Sequence, residues 1–298
     1  MKRTILIAVT ALLLLPSALA QAQDIENREA AEKYNDGKAL YEQGKYQEAL
    51  ELLLDSARLE PGNYRAHYML GLTYNKLLQP DDAIAQLETA VRFNTNFYQA
   101  HYMLGIVYNN ARGDQEKAIE AYKNSTEISE RLGRPYWQAW FNLGKIYFDQ
   151  QNWDEAMEAY NKVAQINPTN EKAFNYMGRI NIERREYEDA LQNFMLASQR
   201  QPTWYEPFFH KAALLNRMGQ HEQAITAADE AIQRQPNFGG SLYEKGVALR
   251  DLERWDEAIK VFEQAAKDAQ WRESANHQIE TIKNRDRYVI PPTPPPFE

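Results

Sequence analysis

Apolar and small residues recur along this chain at helical spacing, and the whole pattern recurs about every 34 residues. Trp137–Asn170 shows it most clearly. Trp140, Leu143, Gly144 and Tyr147 share one helical face, separated by three, one and three positions. A polar break at Gln150–Asn152 follows, with Asp154 placed to cap a second helix whose Ala156, Tyr160 and Val163 lie on one side. Asn167-Pro168 then closes the stretch, because proline cannot continue a helix. The pattern predicts seven helix pairs: Ala30–Asn63, Tyr64–Phe97, Tyr98–Tyr136, Trp137–Asn170, Glu171–Trp204, Tyr205–Phe238 and Gly239–Arg272. Six are 34 residues long and the third has 39.

Two columns of small residues bind these pairs into one architecture. Gly37, Gly71, Gly105, Gly144, Gly178, Ala212 and Gly246 fall inside otherwise good helices, where glycine costs roughly 1 kcal/mol against alanine. That cost implies a second helix crossing too closely for a larger side chain. Ala49, Ala83, Ala118, Ala156, Ala190, Ala224 and Ala258 are the matching column on the second helices. Large residues between the columns, such as Leu70, Leu143, Tyr160, Phe194 and Phe262, read as core. A single pair cannot bury its apolar face, so the pairs must stack into an elongated core in which each touches mainly its neighbours. Glu273–Tyr288, apolar at Ala275, Ile279 and Ile282 and wet elsewhere, reads as a capping helix over the last open face.

The pattern departs from itself in two places. The third repeat gains one residue around Ala111–Asp114 and about four more through Ile128–Leu132, before Gly133 ends its second helix. The fifth has Asn181 where the other six carry an aromatic residue or leucine, which predicts a loose repeat unless the amide finds hydrogen bonds.

The ends differ from the body. Lys2 and Arg3 precede the apolar stretch Ile5–Leu15, Pro16 and the small-x-small site Ala18-Leu19-Ala20, which together read as a secretory signal peptide over residues 1–20, with a second candidate cut after Ala22. The apolar run is about half of what spans a bilayer, so no stable membrane span is expected after cleavage. The expected compartment is a bacterial periplasm. Residues 21–29 form a polar lead-in, and VIPPTPPPFE, residues 289–298, reads as an extended polyproline-type tail, either frayed or a docking peptide for an aromatic groove.

Composition removes several functions. The chain has no cysteine, which excludes disulfides, thiolate metal sites and cysteine nucleophiles. Its net charge of −8, or −10 without Lys2 and Arg3, argues against nucleic acid as a partner. His67 and His101 occupy the position of Trp140 and read as packing residues; His210, His221 and His277 have no evident catalytic partners. The acidic pairs Asp81-Asp82 and Glu188-Asp189 begin second helices, where they complement the helix dipole. No motif for catalysis, metal or cofactor is present, so the reading is non-enzymatic, with no cofactor.

The order W-x2-L-G-x2-Y, then A-x3-aromatic, then Pro in Trp137–Asn170 resembles the tetratricopeptide repeat, and the other six stretches largely follow it. The resemblance implies an all-α, right-handed superhelical solenoid of seven helix pairs plus a C-terminal capping helix. It also implies that first helices line a concave groove that holds peptides. One groove-facing column reads Tyr34, Tyr68, Tyr102, Phe141, Asn175, Phe209 and Tyr243, an aromatic ladder that also fits packing between successive first helices. Beside it, Asn142, Lys145, Lys172, Asn175 and Arg179 form a set suited to a carboxylate or other anion. The resulting expectation is a scaffold or adaptor in the cell envelope. It binds an extended segment of another envelope protein or peptide through Tyr68, Tyr102, Phe141, Asn142, Lys145, Lys172, Asn175, Arg179 and Phe209. The alternative is glycan or peptidoglycan binding on the same rings.

Overall fold

The computed structural model describes residues 24–285. The proposed signal peptide, its two candidate cleavage points and the proline-rich tail lie outside them. The described residues are helical throughout, with no strand among them. In chain order the helices are α1 (24–42), α2 (Tyr46–Leu59), α3 (Tyr64–Lys76), α4 (Pro80–Phe93), α5 (Tyr98–Val107), α6 (Gln115–Arg131), α7 (Trp137–Asp149) and α8 (Trp153–Ile166). There follow α9 (Glu171–Glu183), α10 (Tyr187–Arg200), α11 (Glu206–Arg217), α12 (His221–Arg234), α13 (Gly239–Asp251), α14 (Trp255–Ala265) and α15 (Arg272–Lys283). The chain divides within α7 into two compact units, Met1–Ile146 and Tyr147–Glu298. In each, consecutive helices pack as antiparallel pairs, and first helices of successive pairs touch, as α3 touches α5 and α11 touches α13.

The glycine column behaves as its cost demands. A Cβ on Gly71 would come 2.5 Å from Leu87, and one on Gly105 or Gly178 would strike the ring of Tyr122 or Phe194 at 2.5 and 2.6 Å. At Gly37, Gly71, Gly105, Gly178 and Gly246 the large residue of the second helix therefore lies directly on the bare backbone of the first.

One turn geometry joins every first helix to its second. A left-handed residue recurs at Gly44, Leu78, Gly113, Gln151, Arg185, Gly219 and Glu253, with φ between +59° and +78°. The following amide donates back to the carbonyl of residue 40, 74, 108, 147, 181, 215 or 249, as in Gln79 to Tyr74 at 2.9 Å and Glu186 to Asn181 at 2.8 Å. This Schellman-type closure satisfies helix-end carbonyls. In the third pair the bond spans one residue more, from Asp114 to Tyr108, and the extra residue is absorbed as a π-helical turn, Tyr108–Arg112. The insertion is thus a bulge in the last turn of the first helix, between fixed ends. The added turn of the second helix is also present: α6 has 17 residues against 14 in α2, α4, α8, α10 and α12, and Gly133, at φ +64°, follows it.

Three sequence expectations change. Helix α8 is capped by position Asn152 rather than Asp154, which sits in the first turn and pairs with Arg184. The capping helix runs Arg272–Lys283, shorter than Glu273–Tyr288, with Ala275, Ile279 and Ile282 buried as expected. Asn181 is buried but satisfied: its Nδ2 donates to Glu186 at 2.5 Å and its Oδ1 accepts from Asn193 Nδ2 at 3.0 Å. The hydrogen-bond argument for a loose fifth repeat therefore falls.

Candidate functional site

In the N-terminal unit the ladder residues Tyr68, Tyr102 and Phe141 are half-buried and paired with other rings. Tyr68 on α3 meets Phe97 edge to face at 4.9 Å, and packs on the buried clusters around Met69 and Leu87. Tyr102 on α5 meets Tyr136 at 5.1 Å in the same manner. Its hydroxyl accepts a 3.5 Å hydrogen bond from Asn142 Nδ2, bringing two expected site residues together. Burial raises the Tyr102 hydroxyl pKa, and the Asn142 bond opposes that rise. Phe141 on α7 lies 6.4 Å from Trp137, and Lys145, one turn along, is exposed.

In the C-terminal unit, Lys172, Asn175 and Arg179 share one face of α9, three and four residues apart. Lys172 is exposed. Asn175 is 2% exposed, and its Oδ1 has no hydrogen-bond partner among the described residues. It belongs to the packed layer under that face rather than to an open surface. Arg179 spreads its guanidinium 4.4 Å over the ring of Phe148 and 5.2 Å over that of Tyr176. Among the described residues, none of Lys145, Lys172 and Arg179 forms an ion pair. Phe209 on α11 meets Phe238 at 5.1 Å, almost perpendicular, and Trp271 at 6.2 Å.

Sequence reasoning passed over two groups that shape this site. The first is the aromatic closing the second, third and sixth repeats: Phe97, Tyr136 and Phe238 each meet the ladder ring of their own repeat. A signal existed in the aromatic residue recurring at the end of those stretches. The second is the pair Tyr176 and His210, one position beyond Asn175 and Phe209. His210 stacks on Phe194 at 5.6 Å, and burial, helped by the Arg179 charge, lowers its pKa to about 3. It is a neutral imidazole beside a fixed cation. His67 is a packing residue too, bonded to Gln86 at 2.8 Å and to the Pro61 carbonyl at 2.9 Å. Among the described residues no three His, Asp or Glu side chains are grouped to hold a metal, and no helix is long and apolar enough to cross a membrane.

Stacked helix pairs with a shared turn, a glycine–aromatic crossing and a lined face on the first helices define an all-helical repeat scaffold for binding other proteins. The chain belongs to the tetratricopeptide repeat family. Tetratricopeptide repeat profiles match residues 40–105, 98–131 and 137–170, and a profile for the fifth ARM repeats domain of TT21 matches 171–282.

Two curated relatives are similar over parts of the chain. BBSome complex member BBS4 of Bos taurus is 27% identical over 46% of this chain and 25% of its own length. TPR repeat-containing protein MJ1428 of Methanocaldococcus jannaschii is 26% identical over 51% of this chain and 26% of its own. The chain thus spans about a quarter of the length of these relatives. Among solved structures, the C-terminal part of a TPR repeat-containing protein from Cytophaga hutchinsonii superposes with a TM-score of 0.67 at 16% identity, covering 82% of this chain and 98% of that one. YrrB, described as a TPR protein with an unusual peptide-binding site, gives 0.51 at 22% identity over 65% of this chain and 97% of its own. Both show the shared fold.

Proposed function

We propose that the protein is a non-catalytic adaptor of the bacterial cell envelope, exported by residues 1–20, which holds an extended segment of another protein along the face of its first helices. The observation that carries this reading is the α9 face. Exposed Lys172 and the ring-supported Arg179 lie on it with no carboxylate paired to either among the described residues, which suits an acidic side chain or chain terminus. The N-terminal unit has an exposed cation of its own without an ion pair among the described residues, Lys145 on α7. Main-chain and apolar contacts along the ladder supply the rest. Each of Tyr68, Tyr102 and Phe209 is packed edge to face with a neighbouring ring, which leaves less free ring surface for a sugar to stack on and favours a peptide over a glycan.

The test is crosslinking and pull-down from native envelope extract, using the wild-type chain beside a Lys145→Glu, Lys172→Glu, Arg179→Glu variant. Loss of the captured partners from the variant is the expected result. Equal capture sinks the anion role. A tryptophan fluorescence response to muropeptides, with none to envelope proteins, overturns the peptide reading.

A further inference from the structure

The N-terminal unit holds a group of phenols that the anion site does not use. Tyr34, Tyr41 and Tyr68 pack against one buried cluster, Ala49, Leu50, Leu53, Met69 and Leu70. Tyr68 also reaches the next cluster, beside Leu104. Tyr102 and Tyr98 both lean on Tyr136, at 5.1 and 5.2 Å. The rings are therefore anchored, and the hydroxyls of Tyr34, Tyr41, Tyr102 and Tyr136 lie near enough to that of Tyr68 to act on its charge. Burial and then the neighbouring phenols Tyr136, Tyr41, Tyr102 and Tyr34 raise the Tyr68 pKa, which keeps its hydroxyl protonated. Among the described residues no group hydrogen-bonds the hydroxyls of Tyr34, Tyr41, Tyr68 or Tyr136. The face thus offers anchored rings and neutral donors.

Such a face matches one kind of peptide. A proline-rich segment carries carbonyl acceptors, few N–H donors and flat apolar rings, and pre-set backbone angles lower its ordering cost. The register also fits. Adjacent packed helices lie about 8–10 Å apart, and three residues of polyproline-II advance about 9 Å. Tyr34, Tyr68 and Tyr102 sit on α1, α3 and α5, successive first helices, so one tyrosine meets every third residue. The chain itself contains such a segment: VIPPTPPPFE, residues 289–298, with Pro291 and Pro294 three apart, as are Pro292 and Pro295, and no charge before Glu298.

We propose that the tyrosine face of the N-terminal unit receives residues 289–298 of a second copy of this chain. Every copy carries both the donor tail and the receiving face, so the contact is heterologous and extends head to tail without a further protein. The proposal rests on the reading that first helices present a peptide-binding face, and it names one occupant for the part of that face lacking the α9 cations.

The experiment uses the chain ending at Tyr288, titrated calorimetrically with synthetic VIPPTPPPFE. Binding is expected. It should weaken at least tenfold for the triple Tyr34→Phe, Tyr68→Phe, Tyr102→Phe variant, which keeps the rings and removes the donors. It should weaken similarly when the unaltered protein meets a peptide with alanine at positions 291 and 294, a comparison that does not depend on the variant folding. The full-length chain should associate with rising concentration in sedimentation, and the shortened chain should not. No binding at millimolar peptide, equal binding by the triple variant or by the alanine peptide, or identical sedimentation of the two chains overturns the proposal. Envelope capture that depends on Lys145, Lys172 and Arg179 would persist in that case, so failure here is distinct from failure of the adaptor reading.

Discussion

Arg234 donates its Nε to the carbonyl oxygen of Pro202 at 2.5 Å and holds its guanidinium 3.7 Å over the ring of Phe208. The arrangement recurs one repeat earlier, where Arg200 reaches the Pro168 carbonyl at 3.0 Å and lies 5.7 Å over Phe174. In the second repeat the roles exchange: His67 reaches the Pro61 carbonyl and Phe93 stacks on it at 5.7 Å. A carbonyl freed where a helix ends is thus satisfied from the next repeat, by whichever side chain has a donor, and the aromatic partner fixes that donor in place.

This contact carries inter-repeat stability. Replacing Arg234 by methionine, which keeps the apolar stem, should cost about 1–2 kcal/mol through the lost cation–π contact and hydrogen bond. Lysine should recover little, because it lacks the planar fork. Urea unfolding of the three proteins measures the difference.

Gly178 and Gly62 make a matched pair. A Cβ on Gly178 would lie 2.6 Å from the Phe194 ring, whereas one on Gly62 meets nothing within 4 Å. Gly178→Ala should destabilise by about 1–3 kcal/mol, as overpacking does. Gly62→Ala should stay within about 0.5 kcal/mol of the wild type. Equal melting temperatures would remove the crossing argument for the whole column.

Leu78 is 87% exposed and sits at φ +59° in a turn where the first, third and sixth repeats use glycine. Left-handed geometry costs an ordinary residue roughly 1–2 kcal/mol, and glycine gives back part of that gain through its freer unfolded chain. Leu78→Gly should therefore raise stability by about 0.5 kcal/mol, seen as a higher denaturation midpoint at unchanged slope.

Asn181 now serves as a probe of its network. Asn181→Leu restores the apolar residue of the other repeats but strips Glu186 and Asn193 of their partner. A loss of about 1–3 kcal/mol is expected. Amide exchange in α9 and α10 should accelerate in the variant, and in the wild type should match α7 and α8.

His210 sets an acid limit. Its folded pKa, about 3, lies below the unfolded value of 6.5, so the unfolded chain binds the extra proton between them. Its contribution is complete above pH 6.5 and is lost as pH falls toward 3. His210→Phe should flatten the stability profile in that window by up to about 1.4 kcal/mol per pH unit. A parallel profile for the variant would show that other groups govern acid unfolding.

The amino-acid order alone sets the helices, their pairing and the crossing points. Those depend on residues three, four and seven apart, or on one spot seen seven times over, as at Gly71 and Ala83. It located the insertion in the third repeat but not its form: a residue count cannot tell a longer loop from the π turn at Tyr108–Arg112, since the choice is made by the fixed closure between Tyr108 and Asp114. It named the face carrying Lys172, Asn175 and Arg179, because those share a helix. It takes the packing between helices to bury Asn175 beneath that face, to satisfy Asn181 with Glu186 and Asn193, and to bring Phe97, Tyr136 and Phe238 against the ladder rings. The physical reason is common to all of them. Periodicity fixes the direction in which a side chain leaves its own helix, whereas burial, ring pairing and hydrogen bonding depend on what the neighbouring helix brings to meet it.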